Sequence, residues 1–282
     1  MLLVCMPDIY SPFPTVFRHS TTKSWRNDHE MSVAKRCNLI LIDEAHFLNE
    51  ASRGATLEAA VSRMQTIHEG SSELLRFVAI SATIPNIEDL ATWLSAGSEE
   101  PAAQHEFGEE YRPVKLEVAV EAYSEMKNSW VLDSFLNSKV GDVMAKHNRA
   151  FKPTLIFSAT RKGCKDAALG FLKSAHSRKL IKDPQHQQHL RSIASTISDQ
   201  TVSQLVTKGV GIHHAGLEPQ LRRTIENAFK SGKLLLLCAT STLALGVNLP
   251  AYMVIVKNTQ KYDKGQTIEY HEHQVLQLRH HF

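Results

Sequence analysis

Residues 38–46 read Asn-Leu-Ile-Leu-Ile-Asp-Glu-Ala-His, and this stretch decides the fold. An unbroken apolar run from Leu39 to Ile42, without alternation, describes a strand buried on both faces, the habit of a parallel sheet covered by helices. Two carboxylates follow at once, so the strand carries Asp43 and Glu44 to its C-terminal end, where open α/β sheets bind their ligands. Phe77-Val78-Ala79-Ile80 followed by Ser81-Ala82-Thr83 repeats the arrangement. Between the two, residues Arg53 to Ile67 place Leu57, Ala60, Val61 and Met64 on one helical face. Strand, crossover helix, strand is the unit of a doubly wound parallel sheet, so the fold class is α/β.

Outward from this unit, Pro85 and Asn86 open a second helix through Leu90, Trp93 and Leu94, with Gly97 near its end. A polar, acidic stretch from Ser98 to Glu110 comes next. Alternating Leu116, Val118 and Val120 then predict a strand, and a domain boundary falls at 110/111, giving domains 1–110 and 111–282. The second domain repeats the logic: Thr154-Leu155-Ile156-Phe157 precedes Ser158-Ala159-Thr160-Arg161, and a helix runs from Lys165 to Ala175. Lys179 to Gln204, rich in His and Gln, reads as a surface excursion outside the core.

The chain has 282 residues, 32 Lys plus Arg against 29 Asp plus Glu, and 43% hydrophobic residues. That composition excludes wholesale disorder, collagen-like repeats and a coiled coil. A net charge of +3 does not by itself point to nucleic acid, because a basic groove can hide inside a near-neutral total. Cys5, Cys37, Cys164 and Cys238 form no CxxC pair, which favours a reducing compartment and no structural zinc. Met1 to Cys5 is too short an apolar run for a secretory leader. Leu234 to Val256 carries no charge and is long enough to span a bilayer, but Thr240, Ser241, Thr242, Gly246, Asn248 and Pro250 would lie at mid-membrane depth. Two buried strands, Leu234 to Cys238 and Met253 to Val256, joined by a polar loop and a short helical turn, account for it better.

An Asp-Glu pair at the end of a buried strand suits phosphoryl transfer: Asp43 holds Mg²⁺, and Glu44 orients and deprotonates the attacking water. Taken alone the pair also describes two solvated loop carboxylates. His46, the apolar strand before it and the Ser81-Ala82-Thr83 strand end weigh for the chemical reading. Together these residues resemble a superfamily 2 helicase of the DExH type.

The resemblance extends along the chain. Asp43-Glu44-Ala45-His46 is similar to motif II, Arg53-Gly54 through Leu57-Glu58 to the RGxxLE helix start, and Ser81 to Asn86 to motif III. Arg112-Pro113-Val114 matches the RPV element, Phe157 to Gly163 motif IV, His213-His214-Ala215-Gly216-Leu217 the HHAGL loop, and Thr240 to Ala251 motif V. This set belongs to the Ski-type helicases, and RFVAISATIPNIEDLATWL and KPTLIFSATRKG look most like the meiotic crossover DNA helicases among them.

That resemblance implies two RecA-like domains that clamp ATP and Mg²⁺ and unwind DNA 3′ to 5′ in meiotic recombination. It implies that Asp43, Glu44 and His46 serve hydrolysis, with Ser81, Ala82 and Thr83 coupling nucleotide state to strand separation. Arg53, Gly54, Arg161, Thr240 and Thr242 then contact nucleic acid, while Gly246 and Asn248 reach the nucleotide. It further implies single-stranded and junction DNA as partners, other recombination proteins, a monomer, no membrane, and the nucleus. His213 and His214 fall within the HHAGL loop, and His271, His273, His280 and His281 read as a solvated tail without metal-ligand spacing.

Departures from the pattern matter equally. No GxxxxGK[ST] phosphate cradle occurs; the single Gly-Lys pair, Gly232-Lys233, is followed by Leu234. Val275-Leu276-Gln277 approaches motif VI and then departs as Leu278-Arg279-His280-His281-Phe282. The sequence is therefore expected to hold a first RecA-like domain truncated at its N-terminus and a second truncated at its C-terminus, with weak or no ATP turnover alone. A non-catalytic nucleic-acid-binding module and a Ski-type RNA helicase are the alternatives.

Overall fold

The computed structural model describes residues 2–5, 38–49, 54–69, 75–81, 84, 86–95, 98, 100–124, 126–240, 243, 249–263, 266–269 and 275. The chain divides into two compact units, Met1–Glu121 and Ala122–Phe282, a division eleven residues beyond the boundary placed from sequence.

In the first unit, strands β1 (Leu2–Cys5), β2 (Leu39–Ile42) and β3 (Arg76–Ala79) form a parallel sheet in that order. Register sets Ile40 beside Phe77 and Ile42 beside Ala79. Helix α1 (Gly54–His68) is the crossover expected between β2 and β3, and α2 (Ile87–Leu94) follows β3. Ile40, Ile42, Val61, Met64 and Leu94 form a small core, each at most 9% exposed. The Gln65 side-chain amide donates to the Trp93 carbonyl at 2.8 Å and ties the two helices.

The strand expected around Leu116, Val118 and Val120 is absent. Residues 115–124 have no regular structure, and Val118 and Val120 are 60% and 87% exposed. Alternation marks a face that could be buried, but a strand forms only where a neighbour completes its hydrogen-bond ladder.

The second unit holds the larger core. Helix α3 (Ser129–His147) leads into β4 (Thr154–Phe157), α4 (Arg161–Lys173), α5 (Pro184–Ser195), α6 (Gln200–Thr207), β5 (Val210–His213), α7 (Pro219–Lys230), β6 (Leu236–Ala239) and β7 (Met253–Val256). The sheet order is β5-β6-β4-β7, all parallel. Strands β4, β5 and β6 are buried at every position, including the polar Thr154 and His213 at their ends. An antiparallel pair, β8 (Gln260–Asp263) and β9 (Gln266–Glu269), follows.

Two readings are decided here. The uncharged run from Leu234 to Val256 supplies β6 and β7 on either side of β4, and no helix among the described residues is long and apolar enough to cross a membrane. The excursion placed outside the core between Lys179 and Gln204 instead packs into it. Leu190 and Val206 are fully buried, and Ala194, Val202 and Leu205 are nearly so. Both helices are capped by aspartates, Asp183 accepting from the His186 amide and Asp199 from those of Thr201 and Val202. A few apolar residues at helical spacing suffice for burial in an otherwise polar stretch.

Candidate functional site

In the first unit, β2 and β3 deliver their ends to the same sheet edge. The Ile80 amide donates to the Ile42 carbonyl at 2.8 Å, and the Ala45 amide to the Ile80 carbonyl at 3.0 Å, so the acidic turn is stitched to the neighbouring strand. Between these bonds the chain turns sharply. Glu44 has φ 55°, a left-handed conformation uncommon outside glycine and typical of functional turns. Its amide donates to Asp43 Oδ1 at 2.9 Å, fixing one carboxylate against the turn.

His46 opens a short 3₁₀ turn, Ala45–Asn49, and is 5% exposed. Its amide donates to Ser81 Oγ at 3.1 Å, while its Nδ1 lies 3.4 Å from that oxygen and 3.3 Å from Glu44 Oε2. One imidazole thus touches both the carboxylate after β2 and the hydroxyl after β3. Burial first, and the Asp43 charge second, raise the Glu44 carboxyl above its ordinary range.

Gly54, expected at a nucleic-acid groove, is buried at the start of α1. A Cβ there would run into the Leu48 carbonyl oxygen, so the missing side chain permits a close approach within the chain itself. Arg53, Ala82 and Thr83 lie outside the described residues.

In the second unit, four strand ends share the C-terminal edge of the sheet. After β4, Thr160 caps α4 by accepting from the Gly163 amide at 2.9 Å, which places Arg161 at the first helical position with an exposed side chain. The Arg161 guanidinium lies against Gly216 of the loop after β5. In that loop His213 Nε2 is 2.7 Å from Glu226 Oε1 on α7, and burial holds the His213 and His214 rings below the usual imidazole range. The Arg161 charge adds to burial in lowering His214.

After β6, the Thr240 amide donates to the His213 carbonyl at 3.2 Å, and Thr240 is 8% exposed. The structure therefore brings Arg161, the HHAGL loop and Thr240 to one edge. Thr242, Gly246 and Asn248 lie outside the described residues, as do His271, His273, His280 and His281.

One group escaped the sequence reading. Lys257, directly after β7, has its side chain 2% exposed and donates to Asp133 Oδ1 at 2.8 Å and to Asn137 Oδ1, both on α3. The available signal was a lysine ending an apolar strand, where desolvation demands a partner.

The first unit thus presents an acidic edge on one parallel sheet and the second a basic, histidine-bearing edge on another, and the class of the two α/β domains follows from the family matches to each. A DEAD/DEAH box helicase model matches residues 4–90 and a helicase conserved C-terminal domain model residues 175–275, together two-thirds of the chain. Through both domains the chain is similar to DExH-type helicases.

Among relatives, it is 42% identical over 92% of its length to the probable ATP-dependent DNA helicase HFM1 of Xenopus tropicalis. It is 40% identical over 85% to the ATP-dependent DNA helicase MER3 of Saccharomyces cerevisiae. The DExH-box ATP-dependent RNA helicase DExH14 of Arabidopsis thaliana is 35% identical over 89%. Coverage of those three proteins is 20%, 19% and 12%, so the chain spans at most about a fifth of the relatives it matches.

Proposed function

We propose that the chain serves an ATP-dependent DNA helicase of the meiotic recombination type, supplying the water-activating carboxylates and part of the grip on nucleic acid. The observation that carries this reading is the His46 contact with both Glu44 and Ser81, which joins the hydrolytic edge of β2 to the strand end that couples it. Greater identity to DNA helicases than to the RNA helicase DExH14 favours DNA.

The donor set fits a divalent cation. Asp43 and Glu44 are adjacent like charges, and Glu44 is driven toward its protonated form, a penalty that a cation relieves. Magnesium needs only one or two protein carboxylates beside water and phosphate oxygens, and when bound it neutralises charge on the transferred phosphoryl group. Asp43 holds it. Glu44, with its raised affinity for a proton, accepts one from the attacking water, and His46 orients Glu44 through Nδ1. Ser81, with Ala82 and Thr83, carries the change toward the strand-separating surface.

In the second unit Arg161, Thr240 and Thr242 contact the phosphate backbone, as Arg53 does in the first, while Gly246 and Asn248 meet the nucleotide. The activity is 3′ to 5′ unwinding of DNA in the nucleus, with single-stranded and junction DNA as partners, by a monomer that meets other recombination proteins.

DNA-stimulated ATP hydrolysis by the purified 282-residue chain tests this. Because these residues contain no GxxxxGK[ST] cradle, turnover stays near background, and Glu44→Gln removes what there is. Robust turnover would overturn the expectation of weak activity, and any turnover unaffected by Glu44→Gln would remove Glu44 from its role.

A further inference from the structure

A second feature of the basic unit has no part in the reading above. Helices α3 and α4 and the residues that follow β4 and β7 line an open cleft of about 730 Å³, within the size range of small-ligand sites. Its floor is electrically quiet, since Asp133 is matched by buried Lys257 at 2.8 Å. Its walls carry hydroxyl and amide groups, among them Ser134, Asn137 and Asn258, that can pair with donors and acceptors alike. Lys162 and Lys173 line it against one further carboxylate, Asp166.

At the mouth stands Trp130, 70% exposed. It lies in the first turn of α3, which Asn128 caps by accepting from the Val131 amide at 2.9 Å, so the indole is borne by an anchored backbone. A polar cleft with an exposed indole and a surplus of lysine suits a flat heterocycle with hydrogen-bonding edges and an anion attached. Thr160, which caps α4 immediately before Arg161, lines the same cleft.

We infer that this cleft receives a base of a single-stranded nucleic acid held at Arg161, the base stacking on Trp130 with its phosphate toward Lys162. Stacking on an aromatic face accepts any base and adds affinity that phosphate contacts alone do not supply. The inference rests on the nucleic-acid reading of the second unit, and a readout separate from binding distinguishes the two.

The test uses the full 282-residue chain and an oligothymidylate, with affinity from fluorescence anisotropy of a labelled strand and stacking from intrinsic tryptophan emission. Binding is expected to quench emission, and Trp130→Phe to abolish the quench while keeping most of the affinity. Trp130→Ala is expected to weaken binding roughly 5- to 100-fold, the effect of removing one stacking platform. An oligomer with the same phosphates but abasic sugars is expected to bind without quenching, a comparison that needs no variant to fold. Binding without quenching, quenching that survives Trp130→Phe, or equal quenching by the abasic strand would each overturn the stacking site and leave backbone binding intact. No binding by any strand would overturn both.

Discussion

At Glu44 a left-handed backbone, a neighbouring carboxylate and partial burial all act on one side chain. The first strains the backbone and the other two disfavour the ionised carboxylate, a combination that makes the position a candidate chemical site. The sign of the pH effect follows. A carboxyl whose folded pKa is raised binds its proton more tightly in the native state, so its contribution to stability is present at low pH and lost as pH rises through the folded pKa. Glu44→Gln is therefore expected to melt at a higher temperature than the native chain near neutral pH. The difference shrinks toward zero as pH falls below the carboxylate range, and solvent screening of this half-exposed group keeps it small. Melting curves across that pH range check it; a gap that widens on acidification would contradict the assignment.

Asp43, Glu44 and His46 were legible because a strand edge shows in sequence as an apolar run ending in charge. The use of Gly54 against the Leu48 carbonyl was not, because no local sequence pattern links a glycine to a backbone carbonyl six residues earlier.

Elements differed in how openly the sequence displayed them. Strands β4 and β6 stand out because burial on both faces leaves apolar runs, β2 because its apolar run ends in charge although only Ile40 and Ile42 are buried, and α1 because its apolar residues recur at helical spacing. Helices α3 and α7 and strand β5 were not foreseen. β5 is only Val-Gly-Ile-His, too short and mixed to announce itself, although all four residues are buried. The buried face of α3 begins with polar Asn137 ahead of Val140 and Met144, a position that makes sense only once Lys257 is placed opposite it.

That pairing is what fastens α3 to β7, and it carries a prediction. Asp133→Asn leaves a nearly buried ammonium without its carboxylate and should cost about 3 kcal/mol, as broken buried pairs do. Asp133→Leu combined with Lys257→Met should recover most of that loss, because an apolar pair removes both desolvation penalties. Chemical denaturation of the single and double variants measures both; equal, additive losses would show that the pair does not act as a unit.

Over the whole molecule, the near-neutral total conceals two opposite halves. Residues 1–121 carry 10 Lys plus Arg against 18 Asp plus Glu, whereas residues 122–282 carry 22 against 11. The first unit is thus at −8 and the second at +11, from the same counts. A summed charge of +3 hides this because the split appears only when the unit boundary is known. On the proposed function, the acidic unit bearing Asp43 and Glu44 would supply the chemistry and the basic unit bearing Arg161 and the histidine loop the grip. Phosphate neutralisation releases counterions, so such a grip must weaken with salt in proportion to the contacts made.

The salt dependence of single-stranded DNA affinity for the 282-residue chain is the most direct test of that division. The expected result is a straight fall of log affinity with log salt, with Arg161→Gln lowering the slope by about 1 and weakening binding to all sequences alike. Binding that ignores salt, or a slope unchanged by Arg161→Gln, would contradict the placement of the nucleic-acid backbone on this edge.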